Sequence, residues 1–406
     1  MIRWITERLG TCAYDERPDG DHHIVDVRHL VDKGGNSSAA IRESVEAGAA
    51  ALKSGRTVVV ACDFGVSRSN SIAAGILGVN EGRGFDDCVA QVLAATGESE
   101  IKLDMVQSVR EALSESPPAT VSRTGTVLVT GGSGFLGQNL LPRLKTSHRV
   151  LTPGREVLDL QDGAVKLAAY CRAEGVGQIV HLAYPRVYTN IGAMAVGLAM
   201  LRTVLDTCKL LDIRLVFASS SVLYGGYAAT ELIADESTPF RPKGAYSDAK
   251  FLEEMLLDAY AQRGDVRRSI CRLAPVFGPG GDRPRLIKNF AAGISSEKNI
   301  HTHRYLNGRP ALDLLYVSDA AEAIARTVEH EADSVFHFGS GMLHSTVEIA
   351  ELIADLLGAP LAFQELLIDD DIANIRMDSR RAERVLNWSP AVLLRQGLAQ
   401  CLGVNA

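Results

Sequence analysis

A strand, a glycine-paced turn and a helix follow one another in Thr126-Val-Leu-Val-Thr-Gly-Gly-Ser-Gly-Phe-Leu-Gly137, and this stretch restricts the fold more tightly than any other. Thr126 to Val129 read as a short buried parallel strand, and Gln138 to Leu144 as a helix. Gly131, Gly134 and Gly137 recur every third residue between them. In such a turn one glycine allows the sharp reversal, one allows close approach to a pyrophosphate, and one allows helix and strand to pack closely. The free N–H groups at the helix start then hold the diphosphate. The stretch predicts an α/β domain with a doubly wound parallel sheet over residues 126–406, binding a dinucleotide through Gly131, Gly134, Phe135, Leu136 and Gly137.

That domain leaves more than a hundred residues before it. A chain of 406 residues exceeds the usual size of one core, so two domains are expected. Ser114-Glu-Ser-Pro-Pro-Ala-Thr-Val-Ser-Arg-Thr-Gly125 breaks the preceding helical pattern with two prolines and small polar residues. We therefore expect a first domain over 1–114 and a linker over 115–125. The first 114 residues hold 12 Lys/Arg against 17 Asp/Glu, and the whole chain has a net charge of −7. Neither part has the basic surplus of a nucleic-acid binder. Seven scattered cysteines form no CxxC pair, which fits a reducing compartment and argues against structural zinc or any other metal site. The charged start, Met1-Ile-Arg-Trp-Ile-Thr-Glu-Arg8, lacks the apolar core of a signal peptide. The sequence is read as having no apolar run of about 18 residues, so neither a membrane span nor a membrane partner is expected, and the location expected is cytoplasmic.

In the first domain, Arg56-Thr-Val-Val-Val-Ala61 reads as a buried strand and Asn70 to Val79 as a helix. Between them lies Cys62-Asp-Phe-Gly-Val-Ser-Arg68-Ser69. A cysteine at a strand end, a tight loop and an arginine at a helix start can enclose a phosphate with backbone N–H groups. The helix terminus and the guanidinium favour the thiolate, the nucleophilic form, and Arg68 can take two phosphate oxygens at once. Residues 84–113 read as helical.

In the second domain, His148 to Thr152 reads as the next strand, followed by Pro153-Gly-Arg155 where an acid for a ribose 2′-hydroxyl is usual. Arg155 instead suits the extra phosphate of NADP, so the cofactor expected is NADP or NAD. Further along, Asp159-Leu160 and Ile179 to Ala183 continue the alternation of strand and helix. Leu215 to Ala218 runs into Ser219-Ser-Ser-Val-Leu-Tyr-Gly225. Tyr246-Ser-Asp-Ala-Lys250 then opens a helix, with Tyr246 and Lys250 on one face. A nearby ammonium lowers a phenol pKa, which would let Tyr246 act as acid or base.

The Cys62 loop resembles the signature of the cysteine-dependent protein-tyrosine and dual-specificity phosphatases. This resemblance implies that Cys62 attacks phosphorus, Arg68 stabilises the transition state and Ser69 supports the leaving thiolate. Asp32, on a glycine-rich loop upstream, would be the general acid, with Asp26 as its rival. Ala61 replaces the usual histidine, so a domain that binds phosphate without turnover is the alternative. The implied partner is a phosphorylated small molecule or a phosphoprotein.

Residues 126–403 resemble the extended short-chain dehydrogenase/reductase family, the NAD-dependent epimerase/dehydratase group. The likeness runs through the three glycines, His181-Leu-Ala183, Ser219 to Ser221, Glu236-Ser-Thr-Pro239, Tyr246-x3-Lys250, Arg272-Leu-Ala-Pro-Val-Phe-Gly-Pro279 and Tyr316-Val-Ser-Asp319. Arg155-Glu-Val-Leu-Asp-Leu160 and Phe336-His-Phe-Gly-Ser-Gly341 look most like the branch of GDP-fucose synthase and related nucleotide-sugar reductases. The resemblance implies a Rossmann-type domain with a small substrate subdomain, and a nucleotide-sugar substrate. Tyr246 would exchange a proton with the sugar, Lys250 would orient the nicotinamide ribose, and Ser220 (or Ser221) would bind the reacting oxygen. Asp159, Leu160, Leu182, Ala183 and Pro275 would line the cofactor. Arg283, Arg285, Lys288 and Arg309, within 280–309, are candidates for the substrate diphosphate. Ser221 and Val222 stand where 4,6-dehydratases carry an acidic pair, which leaves a 4-keto reductase or an epimerase. A cofactor-binding sensor is the alternative from another class. Members of the family often form homodimers.

Overall fold

The structure is a computed structural model describing residues 1–98, 101–113, 125–185, 190–281, 285–296, 299–330 and 333–405. The chain divides into two compact units. The first is Met1–Thr124 with Arg155–Gly175 and Asp206–Asp212, and the second is the remainder. The expected linker falls, up to residue 124, outside the described residues.

The first unit holds a four-stranded sheet in the order β1-β2-β4-β3, from β1 (Arg3–Trp4), β2 (Leu9–Ala13), β3 (His23–Asp26) and β4 (Val58–Cys62). β2, β4 and β3 run parallel, while β1 pairs antiparallel with β2. Alternation along β4 decides the faces. Val58, Val60 and Cys62 join the main core, and Val59 and Ala61 pack on the other side. That core is closed by α1 (Ser38–Lys53), α2 (Arg68–Glu81), α3 (Phe85–Thr96) and α4 (Leu103–Leu113). Arg68 to Leu77 of α2 are buried without interruption, the mark of a central helix. The helix expected over 84–113 is two helices, because Gly97 adopts φ +69° and caps α3.

The second unit is built on six parallel strands in the order β15-β10-β8-β7-β5-β6. These are β5 (Thr126–Thr130), β6 (Arg149–Leu151), β7 (Gln178–His181), β8 (Arg214–Ser220), β10 (Arg268–Leu273) and β15 (Ser334–Phe338). All five residues of β5 are buried, as a strand covered on both faces requires. The strand order reverses at β5, where β6 lies on one side and β7 on the other, and the crevice beyond such a reversal is where doubly wound sheets bind ligands. The helices are α5 (Phe135–Leu144), α6 (Ala164–Glu174, grouped with the first unit), α7 (Ile191–Leu211), α8 (Ala245–Gln262), α9 (Arg285–Ser295), α10 (Val317–Glu329), α11 (Thr346–Leu357), α12 (Arg380–Leu386) and α13 (Leu394–Leu402). Four short ladders complete it. They pair β9 (Ala229–Ala234) with β18 (Ala373–Met377), β11 (Val276–Phe277) with β14 (Leu315–Tyr316), β12 (Ile300–Tyr305) with β17 (Phe363–Ile368), and β13 (Ala311–Asp313) with β16 (Leu343–Ser345).

Three local expectations need correction. The helix after the glycine turn starts at Phe135, three residues before Gln138, with Gly134 as its N-cap. Asp159-Leu160 is not a strand: Asp159 caps a 3-10 turn and accepts the Gln161 N–H at 3.0 Å. Finally, α7 is long and apolar enough to cross a membrane by those measures alone. Its Leu201, Val204 and Leu205 are nevertheless buried in protein.

Candidate active site

The glycine turn sits at the end of β5, and its geometry explains its composition. Gly131 has φ +73°, and a Cβ there would lie 2.7 Å from Ala183 N and 2.8 Å from Leu182 C. Gly137 is closer still, since its Cβ would lie 2.6 Å from Gly131 O and from Gly132 Cα. Glycine is required at both positions, and the turn is pressed against the Leu182-Ala183 segment that follows β7. Thr130 Oγ1 ties the two together, accepting the Ala183 N–H at 3.4 Å and sitting 2.7 Å from His181 Nδ1. Burial, with Lys250 nearby, pushes His181 down to about 3, so it stays uncharged at neutral pH.

The serine run and the Tyr246 helix meet beside this turn. Ser220 ends β8 and caps the 3-10 turn Ser221–Tyr224, accepting the Val222 N–H at 3.4 Å. Ser247 donates to Val222 O at 2.6 Å, which fixes the first turn of α8 against the serine turn. Alternation separates the three serines. Ser219 points into the core and donates to Glu254 Oε1 at 2.5 Å, Ser221 is buried, and Ser220 is half-buried.

Lys250 is 6% exposed and deeply held. Its Nζ lies 2.8 Å from Glu253 Oε2 and 3.3 Å from Ala218 O. It also lies 4.8 Å from the Tyr184 ring centroid and 4.7 Å from that of Phe217. Burial works most strongly against the ammonium, but Glu253, Tyr246 and Tyr184 together outweigh it, and Lys250 is held above its ordinary value. The expectation for Tyr246 needs a correction of sign. Burial raises the phenol, Lys250 lowers it, Glu253 raises it again, and the net direction is upward. Tyr184 stands edge-on to Tyr246 with centroids 5.6 Å apart.

Behind these groups lies a buried polar network. Arg272 of β10 makes a two-pronged contact with Glu254, at 3.0 Å from Nε to Oε1 and 2.7 Å from Nη2 to Oε2. Its Nη1 donates to Tyr224 Oη at 3.0 Å, and His337 Nε2 lies 3.0 Å from the same hydroxyl. The Tyr316-Val-Ser-Asp319 motif is structural too, because Asp319 Oδ2 accepts the Ala391 and Val392 N–H groups, both at 3.0 Å. Asp313 likewise gathers Ser340 N at 2.6 Å and Met377 N at 3.0 Å, fixing the Phe336–Gly341 segment.

The remaining candidates lie on other segments of the chain. Arg155, Asp159 and Leu160 belong to the first compact unit, where Arg155 is exposed and lies 3.9 Å from Asp159. Pro275 accepts the Leu315 N–H through its carbonyl at 3.0 Å. Arg283 lies outside the described residues. Arg285 and Lys288 are exposed on α9. Arg309 is exposed and paired with Glu365, Nε to Oε1, at 2.6 Å. Glu253 and Tyr184 were not foreseen. The signal for Glu253 was present, since positions three and four beyond Lys250 are both acidic on a face that Tyr246 and Lys250 require to be inward.

In the first unit the Cys62 loop gathers its expected residues. Gly65 N donates to Cys62 Sγ at 3.2 Å, and Ser69 Oγ lies 3.4 Å from the same sulfur. Arg68, 7% exposed, opens α2 and donates from Nη1 to Leu30 O at 3.1 Å. Its Nη2 meets Asp63 Oδ2 at 2.6 Å, and its Nε lies 3.4 Å from Asp32 Oδ2. Asp26 is instead engaged by the exposed Arg28 at 2.8 Å. Gly65 has φ +69°, and a Cβ would come within 2.3 Å of the Cys12 carbonyl carbon, so glycine alone fits.

A doubly wound sheet, a glycine cradle at its switch point and a Ser/Tyr/Lys set at its C-terminal edge define a dinucleotide-fold protein of the Tyr/Lys type. Residues 127–339, just over half of the chain, match the model of the NAD dependent epimerase/dehydratase family, and the chain belongs to that family. It is 26% identical over 299 residues to a UDP-glucuronic acid decarboxylase 1 of Xenopus tropicalis, covering 67% of this chain and 70% of the relative. A UDP-glucose 4-epimerase of Thermus thermophilus, solved in complex with NAD, superposes with a TM-score of 0.60 at 22% identity, covering 68% of this chain and 98% of that one. A dTDP-glucose 4,6-dehydratase of Bacillus anthracis, also solved with NAD, gives 0.60 at 22% identity, over 68% and 95%.

Proposed function

We propose that the second unit is an NAD- or NADP-dependent enzyme acting on a nucleotide-activated sugar, as an epimerase or a 4-keto reductase. The observation that carries this reading is Tyr246 and Lys250 on one inward face of α8, locked beside the Ser220 turn by Ser247. The cradle of Gly131 and Gly137, which any Cβ would fill, fits the diphosphate of a dinucleotide. When bound, that cofactor supplies a nicotinamide carbon that accepts or returns hydride. Ser220 then hydrogen-bonds the reacting sugar oxygen, and Tyr246 takes its proton as hydride leaves the carbon, or returns it in the reverse sense. Lys250 holds a positive charge next to the phenol, which lowers the cost of the phenolate. Relatives named as UDP-glucuronic acid decarboxylases support a second reading, in which oxidation of the sugar is followed by loss of carbon dioxide.

Two measurements test this. Titration with NAD and NADP is expected to show binding of at least one, and binding of neither would sink the reading. Incubation with UDP-glucose, UDP-galactose and UDP-glucuronate plus the bound dinucleotide, followed by product chromatography, separates epimerisation from decarboxylation. A 4-keto sugar nucleotide with reduced dinucleotide tests reduction.

We further propose that the first unit binds a phosphate monoester at the Cys62 loop and cleaves it. Cys62 sulfur would bond to phosphorus as the ester P–O bond breaks, Asp32 would protonate the leaving oxygen, and water would then hydrolyse the S–P bond. Asp63, half-exposed, would yield Arg68 to the phosphate. Phosphate release from p-nitrophenyl phosphate by the full chain is expected, and Cys62→Ser should reduce it to background. Phosphate binding without release would favour a regulatory module.

A further inference from the structure

The mechanism above leaves one buried charge without a task. Glu253 is 1% exposed, lies three residues beyond Lys250 on α8, and places Oε2 2.8 Å from Lys250 Nζ. The neighbouring acid, Glu254, is already engaged by Arg272 and Ser219. Space for the pair is built in, because a Cβ on Gly197 of α7 would lie 3.2 Å from Glu253 Oε1 and 2.7 Å from Tyr184 Cε2. The rings of Tyr184 and Phe217 cover the ammonium. Tyr184 itself is pushed up to about 12 by burial, and its hydroxyl finds no hydrogen-bond partner among the described residues. The Lys250 ammonium and the Glu253 carboxylate are therefore held away from bulk water, beside the half-buried Tyr184 and Tyr246.

We propose that Glu253 is a positioning residue for the Tyr246/Lys250 chemistry: it anchors the Lys250 ammonium at depth and offsets its charge beside the Tyr246 phenol. The inference rests on the role given to Tyr246 above. A lone buried ammonium would draw Tyr246 towards the phenolate, whereas a paired one presents a nearly neutral dipole. Among the described residues, the other groups facing the pair add no net charge. His181 on β7 is uncharged, Tyr184 is neutral, β8 offers the Ala218 carbonyl and the Phe217 ring, and Glu254 with Arg272 forms its own neutral pair. Removing the Glu253 charge makes the first proton of the Tyr246–Lys250 site easier to lose, because the site then carries a net positive charge.

The test is the phenolate absorbance of Tyr246 near 295 nm, taken as the difference between each protein and its Tyr246→Phe counterpart across pH. Glu253→Gln keeps the shape and removes the charge, and Glu253→Met is a second uncharged replacement should the first not fold. In either, the Tyr246 transition is expected about one pH unit lower than in the unaltered protein. Glu253→Asp, which keeps the charge, should stay near the original midpoint. An unmoved or raised transition in a folded uncharged variant overturns the proposal. The phenolate is read without turnover, so this result is separate from a failure of the catalytic reading, which would appear as full activity in Tyr246→Phe.

Discussion

Tyr246→Phe is expected to lower turnover of the nucleotide sugar by about 10²- to 10⁴-fold, the range for loss of a positioned general acid or base. The ring, its contact with Tyr184 and the packing of α8 survive this change, since only the hydroxyl is removed. Dinucleotide affinity and KM should therefore stay within a few-fold, and the loss should fall on kcat. The unaltered protein should show a pH profile of definite sign. Burial raises the Tyr246 phenol and Lys250 only partly offsets it. Where the phenolate is the base, the rate rises with pH until that group ionises, and the rising limb should disappear in Tyr246→Phe. Steady-state kinetics over pH, with dinucleotide binding measured in parallel, checks both parts. Equal activity in the two proteins would remove Tyr246 from the chemistry.

The second large effect is on stability. Glu254 and Arg272 are 1% and 5% exposed and joined by three hydrogen bonds, with Ser219, Tyr224 and His337 completing the network. Glu254→Ala leaves the Arg272 guanidinium buried without a counter-charge, beside Tyr224 Oη, His337 Nε2 and the Phe240 ring 4.5 Å away. The expected loss is about 3–5 kcal/mol, read by chemical denaturation. The double replacement Glu254→Leu with Arg272→Met removes both charges and should cost much less. A single-variant loss below about 1 kcal/mol would show that solvent reaches the pair.

The sequence exposed the parts of this protein whose chemistry depends on spacing along the chain. The glycine turn, Tyr246-x3-Lys250 and the Cys62-to-Arg68 loop are each set by neighbours a few residues apart. What escaped depends on partners distant in the chain. The meeting of Ser219 with Glu254, and of Tyr224 with His337, exists only once the sheet is assembled. The sign of the Tyr246 shift was misjudged because burial and Glu253 both oppose Lys250, and neither is visible from the Tyr/Lys spacing alone. Helix limits were missed at glycines: Gly134 caps α5 earlier than the apolar pattern suggests, and Gly97 ends α3 where the pattern continues.

The six-stranded sheet ends at β6, which pairs for only three residues, Arg149–Leu151, and leads with an exposed arginine. An open sheet edge is a template for another chain, and a brief, charged one offers little length to extend. The strand beside the glycine turn thus gives a second chain few backbone groups to pair with.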